Sequence, residues 1–220
     1  MRTYYDHEGA YRTIVATGGT GWDDLPTLVR DGLDSYCAID AFLASPLAVP
    51  GDALDLGCGG GQVSLKLAAR GYRVVGVDFA PSAIDLARRN APEQTFVVGD
   101  CLALELPAAS FDFVVDNHVL HCILGADRAQ FLREVARVLR PGGLLFSDTM
   151  SREGYVDFER HRFDPATFVS KGGNRYLVGA HELDDELGAA GLEILVREAL
   201  VDAESAIGER LVRVARRASC

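Results

Sequence analysis

The sequence predicts a doubly wound α/β fold, and three observations carry that expectation. A short apolar strand, Ala53-Leu54-Asp55-Leu56, opens into the turn Gly57-Cys58-Gly59-Gly60-Gly61 and then a helix expected over Gln62 to Arg70. A second strand, Tyr72 to Asp78, ends on an acid about twenty positions after the loop. Strand-like and helix-like segments keep alternating beyond it, and right-handed crossovers between such segments build an open sheet with helices on both faces.

Each element has its own signal. Asp24 to Leu43 carries Leu25, Leu28, Val29, Leu33, Tyr36, Ile39, Phe42 and Leu43 at largely helical spacing, with Pro26 in a first turn that tolerates it. In the turn, glycine admits positive φ and lets backbone approach a ligand closely, while the next helix offers its N-terminal amides. Asp127-Arg128-Ala129-Gln130 has the form of a capping box, Phe131, Leu132, Val135, Val138 and Leu139 form a buried stripe, and Pro141-Gly142-Gly143 is the expected stop. His181 to Ala190 is a further helix closed by Gly191 in a left-handed cap, leading into a strand from Leu192 to Ala199. A turn near Ala206-Ile207-Gly208 returns the chain into a last strand, whose alternation over Arg210 to Arg217 predicts one solvated face.

Composition narrows the class. The 220 residues suffice for one domain with a substantial core. A formal charge of −10 argues against gripping nucleic acid, which needs clustered Lys and Arg. No apolar stretch is long enough to span a membrane and no leader pattern stands at the start, so a cytoplasmic protein is expected. Cys37, Cys58, Cys101, Cys122 and Cys220 are scattered without a Cys-x-x-Cys pair, which points to reduced thiols rather than disulfides or a zinc ribbon. A monomer and a homodimer are both compatible with the sequence.

An acid followed by Gly-x-Gly-x-Gly, here Asp55, Gly57, Gly59 and Gly61, resembles motif I of the class I S-adenosylmethionine-dependent methyltransferases. The dinucleotide fingerprint would instead need glycine at Gln62. Asp78 to Ala87 resembles the same family's second motif, Phe96 to Cys101 its third strand and strand-end acid, Phe111 to His118 its fourth strand, and Leu132 to Gly143 the helix and turn into a fifth. The resemblance runs from about Gly51 to Thr149 and implies a Rossmann-like, mostly parallel seven-stranded sheet whose last strand inserts antiparallel beside the fifth. It divides the chain into a helical N-terminal cap (1–49), a cofactor-binding core (50–150), a substrate lid (151–179) and a closing helix and hairpin (180–220). The implied cofactor is S-adenosyl-L-methionine, with contacts from Asp55, Gly57, Cys58, Gly59, Gly61, Asp78 at the ribose, Phe79, Asp100 and Cys101 near the adenine, and Asn117, joined by Tyr11 and Trp22 of the N-terminal arm.

Substrate chemistry is expected just after the fourth strand, where Asp116, Asn117, His118, His121 and Cys122 follow one another closely. His118, on the strand-end turn, is expected to titrate near neutrality and is the favoured general base, with Asn117 or Asp116 positioning the acceptor. The types His118, His121 and Cys122 also suit a metal, yet no outlying Cys/His pair completes a tetrahedral set, so no metal is expected; packing accounts for His121 and Cys122. Cys58 is a small residue within the glycine loop. Gly18 to Asp23 resembles, over a short stretch, the Gly-Trp-Asp segment of the thiopurine and halide methyltransferases, while the preferred reading of Trp22 is a packing anchor for the arm.

Tyr4-Tyr5-Asp6 and Tyr11-Arg12 are expected to close over the cofactor. Ser151 to Gly179, with Tyr155, Phe158, His161, Phe163, Phe168 and Tyr176, is expected to form a substrate lid or an extra helix with its own small core. The Asn/Asp-Pro-Pro-Tyr/Phe signature of nucleobase amino-methylating enzymes is missing near Asp116. The expected activity is methyl transfer to a heteroatom of a small molecule. Alternatives are a peptide or protein terminus as acceptor and a non-catalytic cofactor-binding protein; an aminopropyltransferase would need further acidic substrate motifs.

Overall fold

A computed structural model describes residues 5–25, 36–153, 163–170, 174–201 and 209–218. Seven strands, β1 (Asp52–Leu56), β2 (Arg73–Asp78), β3 (Thr95–Val98), β4 (Phe111–Asn117), β5 (Leu139–Met150), β6 (Leu192–Val201) and β7 (Glu209–Arg217), form one sheet in the order β3-β2-β1-β4-β5-β7-β6. Strands β1 to β5 run parallel, and β7 lies antiparallel between β5 and β6, as the resemblance implied. The chain reverses its direction of travel across the sheet between β1 and β4, which opens a crevice at their carboxyl ends.

Period-two alternation sends successive strand residues to opposite layers. Leu54, Leu56, Val114 and Leu145 pack with Phe131, Leu132 and Val135 of α5 (Ala126–Val138) and with Leu183 and Leu187 of α6 (Ala180–Ala189). Ala53, Phe113, Val115 and Phe146 pack on the other face with Ile39 and Phe42 of α2 (Cys37–Leu43) and Val63 and Leu67 of α3 (Gln62–Ala69). Two more helices, α1 (His7–Ala16) and α4 (Pro81–Asn90), pack against each other beside the glycine loop.

Several sequence expectations are corrected. The helix does not begin at Asp24: Trp22–Asp24 is a 3-10 turn, and Leu25 is extended at φ −65°, ψ 120°. Pro26 follows Leu25, and a residue before proline is driven out of the α region. Pro26, Leu28, Val29 and Leu33 lie outside the described residues, and the described helix is α2. Gly125, not a capping box, precedes α5; no side chain caps that terminus, and Asp127 is buried in the first turn. The helix has already ended at Leu139, so Pro141-Gly142-Gly143 sits inside β5, beside the ladder irregularity at Phe111 and Phe113. By contrast, α6 and the positive φ of Gly191 follow the expected pattern.

The last strand has no wholly solvated face. Arg210 and Arg213 are buried because β7 is an inner strand, and each pairs with a carboxylate, Arg210 with Asp148 at 2.8 Å and Arg213 with Asp184 at 2.6 Å. The described part of the 151–179 insertion has a small core of its own, Met150, Phe163 and Leu177 with Phe168, built on bridges Phe163 to Ser170 and Val169 to Tyr176 rather than on a helix. Tyr4, Tyr155, Phe158, His161, Cys220 and the turn at 206–208 lie outside the described residues.

Candidate active site

Gly57, Gly59 and Gly61 take φ of +58°, +53° and +85°, which lets β1 reverse into α3 within five residues. The lack of side chains also admits close neighbours: a Cβ on Gly57 would lie 2.5 Å from Val119 Cγ2, and one on Gly59 would lie 2.0 Å from the Tyr11 hydroxyl. Asp78, at the end of β2, gathers the loop. Its Oδ2 accepts from Gly59 N–H at 3.0 Å and its Oδ1 from Ala80 N–H at 2.9 Å. Burial raises its pKa, and these backbone donors pull it back.

The other loop residues divide into those facing inward and those at the lip. Asp55 turns into the fold, accepts from Ser64 Oγ at 2.6 Å, and is pushed up by burial to about 7. Cys58 packs among Ile84, Ala87 and Phe96, and burial holds its thiol protonated. At the lip, Phe79 is 51% exposed and meets His7 edge-on at 5.4 Å. Asp100 is exposed, its Oδ1 accepting from Leu102 N–H at 2.8 Å. Burial, with Asp100 and Asp116 nearby, pushes the neighbouring Cys101 thiol up to about 12.

The N-terminal arm is bonded to this loop. Asn90 Nδ2 donates to Thr20 O at 2.7 Å and to Gly60 O at 2.8 Å, and the Gln62 amide also donates to Thr20 O. Glu8 of α1 accepts from Ser82 N–H at 3.0 Å and Ser82 Oγ at 2.7 Å, capping α4, which has no side-chain cap of its own. Those bonds hold the Glu8 carboxyl below its usual pKa. Trp22 stands among Tyr5, His7 and Tyr11 at centroid distances of 5.8, 5.3 and 5.7 Å, the anchoring arrangement. Tyr11 therefore reaches the loop directly and Trp22 backs it.

At the end of β4, Asp116 is fully buried and accepts from Ser147 Oγ at 2.6 Å, Val119 N–H at 2.8 Å and Leu120 N–H at 3.0 Å. It shapes the turn, and both of its oxygens are engaged by donors of the fold itself. Asn117 is half-buried and ends the strand opposite Asp148 of β5. His118 takes φ +70° and places Nε2 3.2 Å from Arg210 Nη1, while the same Nη1 lies 2.8 Å from Asp148 Oδ2. A guanidinium only donates, so Nε2 accepts and Nδ1 carries the proton. Burial, then the Arg210 charge, lowers the His118 pKa to about 4. The expected titration near neutrality is thus corrected: the side chain stays neutral and offers an N–H, with its lone pair engaged.

His121 is buried with its ring 5.7 Å from that of His118, and its carbonyl accepts from Tyr176 N–H at 2.8 Å. Burial pushes the Cys122 thiol up to about 11. Among the described residues no group of three or more His, Cys, Asp or Glu side chains is placed to hold a metal ion. Sequence reasoning missed Asp148 and misread Arg210, the pair beside His118. A single charge at a strand end or in a loop leaves no periodic trace.

Residues 54–147 match a family described as a methyltransferase domain. Over these residues the chain resembles S-adenosylmethionine-dependent methyltransferases. An uncharacterized methyltransferase of Synechocystis sp. is 43% identical over 93 residues, 41% of this chain and 43% of that protein. The malonyl-[acyl-carrier protein] O-methyltransferase of Serratia marcescens is 33% identical over 150 residues, 63% of this chain and 57% of that protein. The crystal structure of a SAM-dependent methyltransferase from Methanosarcina mazei superposes with a TM-score of 0.69 at 26% identity, covering 84% of this chain and 99% of that one. The chain spans about half the length of the curated relatives it matches. No described helix is long and apolar enough to cross a membrane.

The donor set fits S-adenosylmethionine, the methyl donor of the Methanosarcina mazei enzyme that this chain resembles. The glycine backbone leaves room that a Cβ would fill. Each Asp78 oxygen holds one backbone N–H and keeps a lone pair for a hydroxyl, and Asp100 has an oxygen beyond the one bonded to Leu102.

Proposed function

We propose that this chain moves the methyl group of S-adenosylmethionine to a heteroatom of a small molecule. One observation carries the reading: the glycine loop gathered on Asp78 and the turn after β4 lie side by side at the sheet's switch point, Val119 approaching Gly57. Gly57, Gly59 and Gly61 offer backbone to the cofactor, Asp78 accepts from its ribose hydroxyls, Asp100 meets its adenine amino group, and Phe79, Cys101, Asn117, Tyr11 and Trp22 complete the walls. The cofactor supplies an electrophilic methyl and a neutral thioether leaving group. The protein then has to hold the acceptor in line with that methyl and exclude water. Cover on both sides supports a small acceptor: α1 is bonded to α4 through Glu8, Asn90 of α4 bridges Thr20 to Gly60 of the glycine loop, and Tyr176 is bonded to His121. The Serratia relative's name, an O-methyltransferase, supports oxygen as the heteroatom.

Within this reading His118 positions the acceptor by its Nδ1–H, with Arg210 fixing the ring. The test is release of S-adenosylhomocysteine from S-adenosylmethionine across a metabolite panel, with His118→Gln assayed beside the wild type. The wild type is expected to turn over at least one acceptor, and the variant to keep cofactor affinity with turnover lowered by less than about 10-fold. A loss of about 10²–10⁴ with a changed pH–rate profile would restore His118 as a general base. Tight cofactor binding without turnover on any acceptor would favour a non-catalytic role.

A further inference from the structure

We propose that the acceptor is an acid, and that its carboxylate is seated by Arg175 together with the N–H groups of His121 and His118. This rests on the methyltransferase reading and adds a substrate class to it. The first observation is a guanidinium without an anion. In this part of the fold Arg128 pairs with Glu186, Arg152 with Glu182, Arg210 with Asp148 and Arg213 with Asp184. The Arg175 side chain makes no hydrogen bond or ion pair among the described residues, in a chain whose formal charge is −10.

The second observation is a buried polar atom without a partner. His121 is 4% exposed, and its Nδ1 has no hydrogen-bond partner among the described residues. The bond from Tyr176 N–H to His121 O, at 2.8 Å, docks the 174–178 segment on the turn after β4, and the Arg175 charge bears on the His121 ring. His118 lies edge-on at 5.7 Å, with its Nδ1–H left over from the Arg210 contact.

Surrounding charge agrees. Burial and then Arg175, His118, His7 and Arg128 disfavour protonation of His121, and its pKa stands well below the usual range. His118 is faced by Arg210 and Arg175 on one side of the balance and by Asp116 and Asp23 on the other. Arg175 also bears on His7 and Cys122. Neutral imidazoles with a guanidinium that has no anion among the described residues supply the donors and the positive potential that a carboxylate needs, and an Arg–carboxylate pair is bidentate when geometry allows.

The test uses the full chain saturated with S-adenosylhomocysteine and titrated with acetate, succinate and benzoate against acetamide, succinamide and benzamide. Binding is read by calorimetry and by the ring-proton shifts of His118 and His121. At least one acid should bind about 10-fold or more tightly than its amide and raise the titration midpoint of His121, since a charge-assisted contact is lost in the amide. Arg175→Gln should abolish that difference while leaving S-adenosylhomocysteine affinity unchanged, and Arg175→Lys should keep part of it. Equal binding of acids and amides, equal binding by Arg175→Gln, or a response to inorganic phosphate without one to any carboxylate would overturn the proposal. Failure of S-adenosylhomocysteine itself to bind would instead sink the methyltransferase reading on which it rests.

Discussion

At the scale of single residues, backbone demand explains what could be read in advance. A turn that needs positive φ three times in five positions writes glycine into the sequence, and the acid that gathers it follows at the next strand end. Asp78 is therefore the residue to change. Asp78→Ala should remove charge-assisted hydrogen bonds worth roughly 1.5–3 kcal/mol, so S-adenosylhomocysteine should bind about 10- to 150-fold more weakly by calorimetry. Unchanged affinity would move the ribose contact elsewhere. His118 was legible as a position but not as a protonation state, because its lone pair is claimed by Arg210, 92 residues away. Arg210 itself was misread because strand alternation tells which side chains share a face, not whether that face is covered. Arg175 left no sequence signal, since a lone cation in a loop has the same local pattern whether or not it has a partner.

Among the elements, helix ends were the least legible part of the fold. Capping rules look three residues along the same chain segment, whereas α4 begins with Ala80 and Pro81 and takes its cap from Glu8 on α1. Likewise α5 starts behind Gly125 at φ +56°, and the helix expected from Asp24 includes neither Asp24 nor Leu25, which precedes a proline. The cap on α4 has a functional corollary, because α1 carries Tyr11 over Gly59 while Glu8 ties it to the helix that follows Asp78. Glu8→Ala should cost about 1 kcal/mol, the usual loss for a cap. Amide exchange over residues 7–16 should quicken, and cofactor affinity should fall while exchange in β1, β4 and β5 stays as it was. An arm whose protection ignores the substitution would show that packing of Ile14 and Leu25 on α4 holds it without the cap.

The whole molecule was legible where motifs follow strand order, from β1 through β5, and less so beyond, where inner strand β7 carries arginines that only tertiary pairing explains. Its response to pH is likewise a property of the assembled crevice. His7 and His118 are lowered to about 4 and His121 is lowered further, chiefly by burial. Asp55 and Asp148 are raised to about 7, and Asp78 and Asp116 are also raised, again chiefly by burial. The signs oppose. Histidines with depressed values bind more protons unfolded than folded between about pH 4 and 6.5, so their stabilising contribution grows with pH there. Acids with raised values bind more protons folded than unfolded above about pH 4, so theirs is lost as pH climbs through 7. Below about pH 6.5 the two trends offset each other; above it the histidines have finished and only the acids act. Thermal melts of the cofactor-free chain should therefore show a plateau ending near pH 6.5 and a fall toward pH 8. Asp55→Asn keeps an acceptor for Ser64 and cannot ionise, so it should shrink that fall by about half. If the variant melts with the wild-type pH dependence, the alkaline loss belongs to Asp148 and its arginine pair, and Asp55 is ionised in the fold at neutral pH.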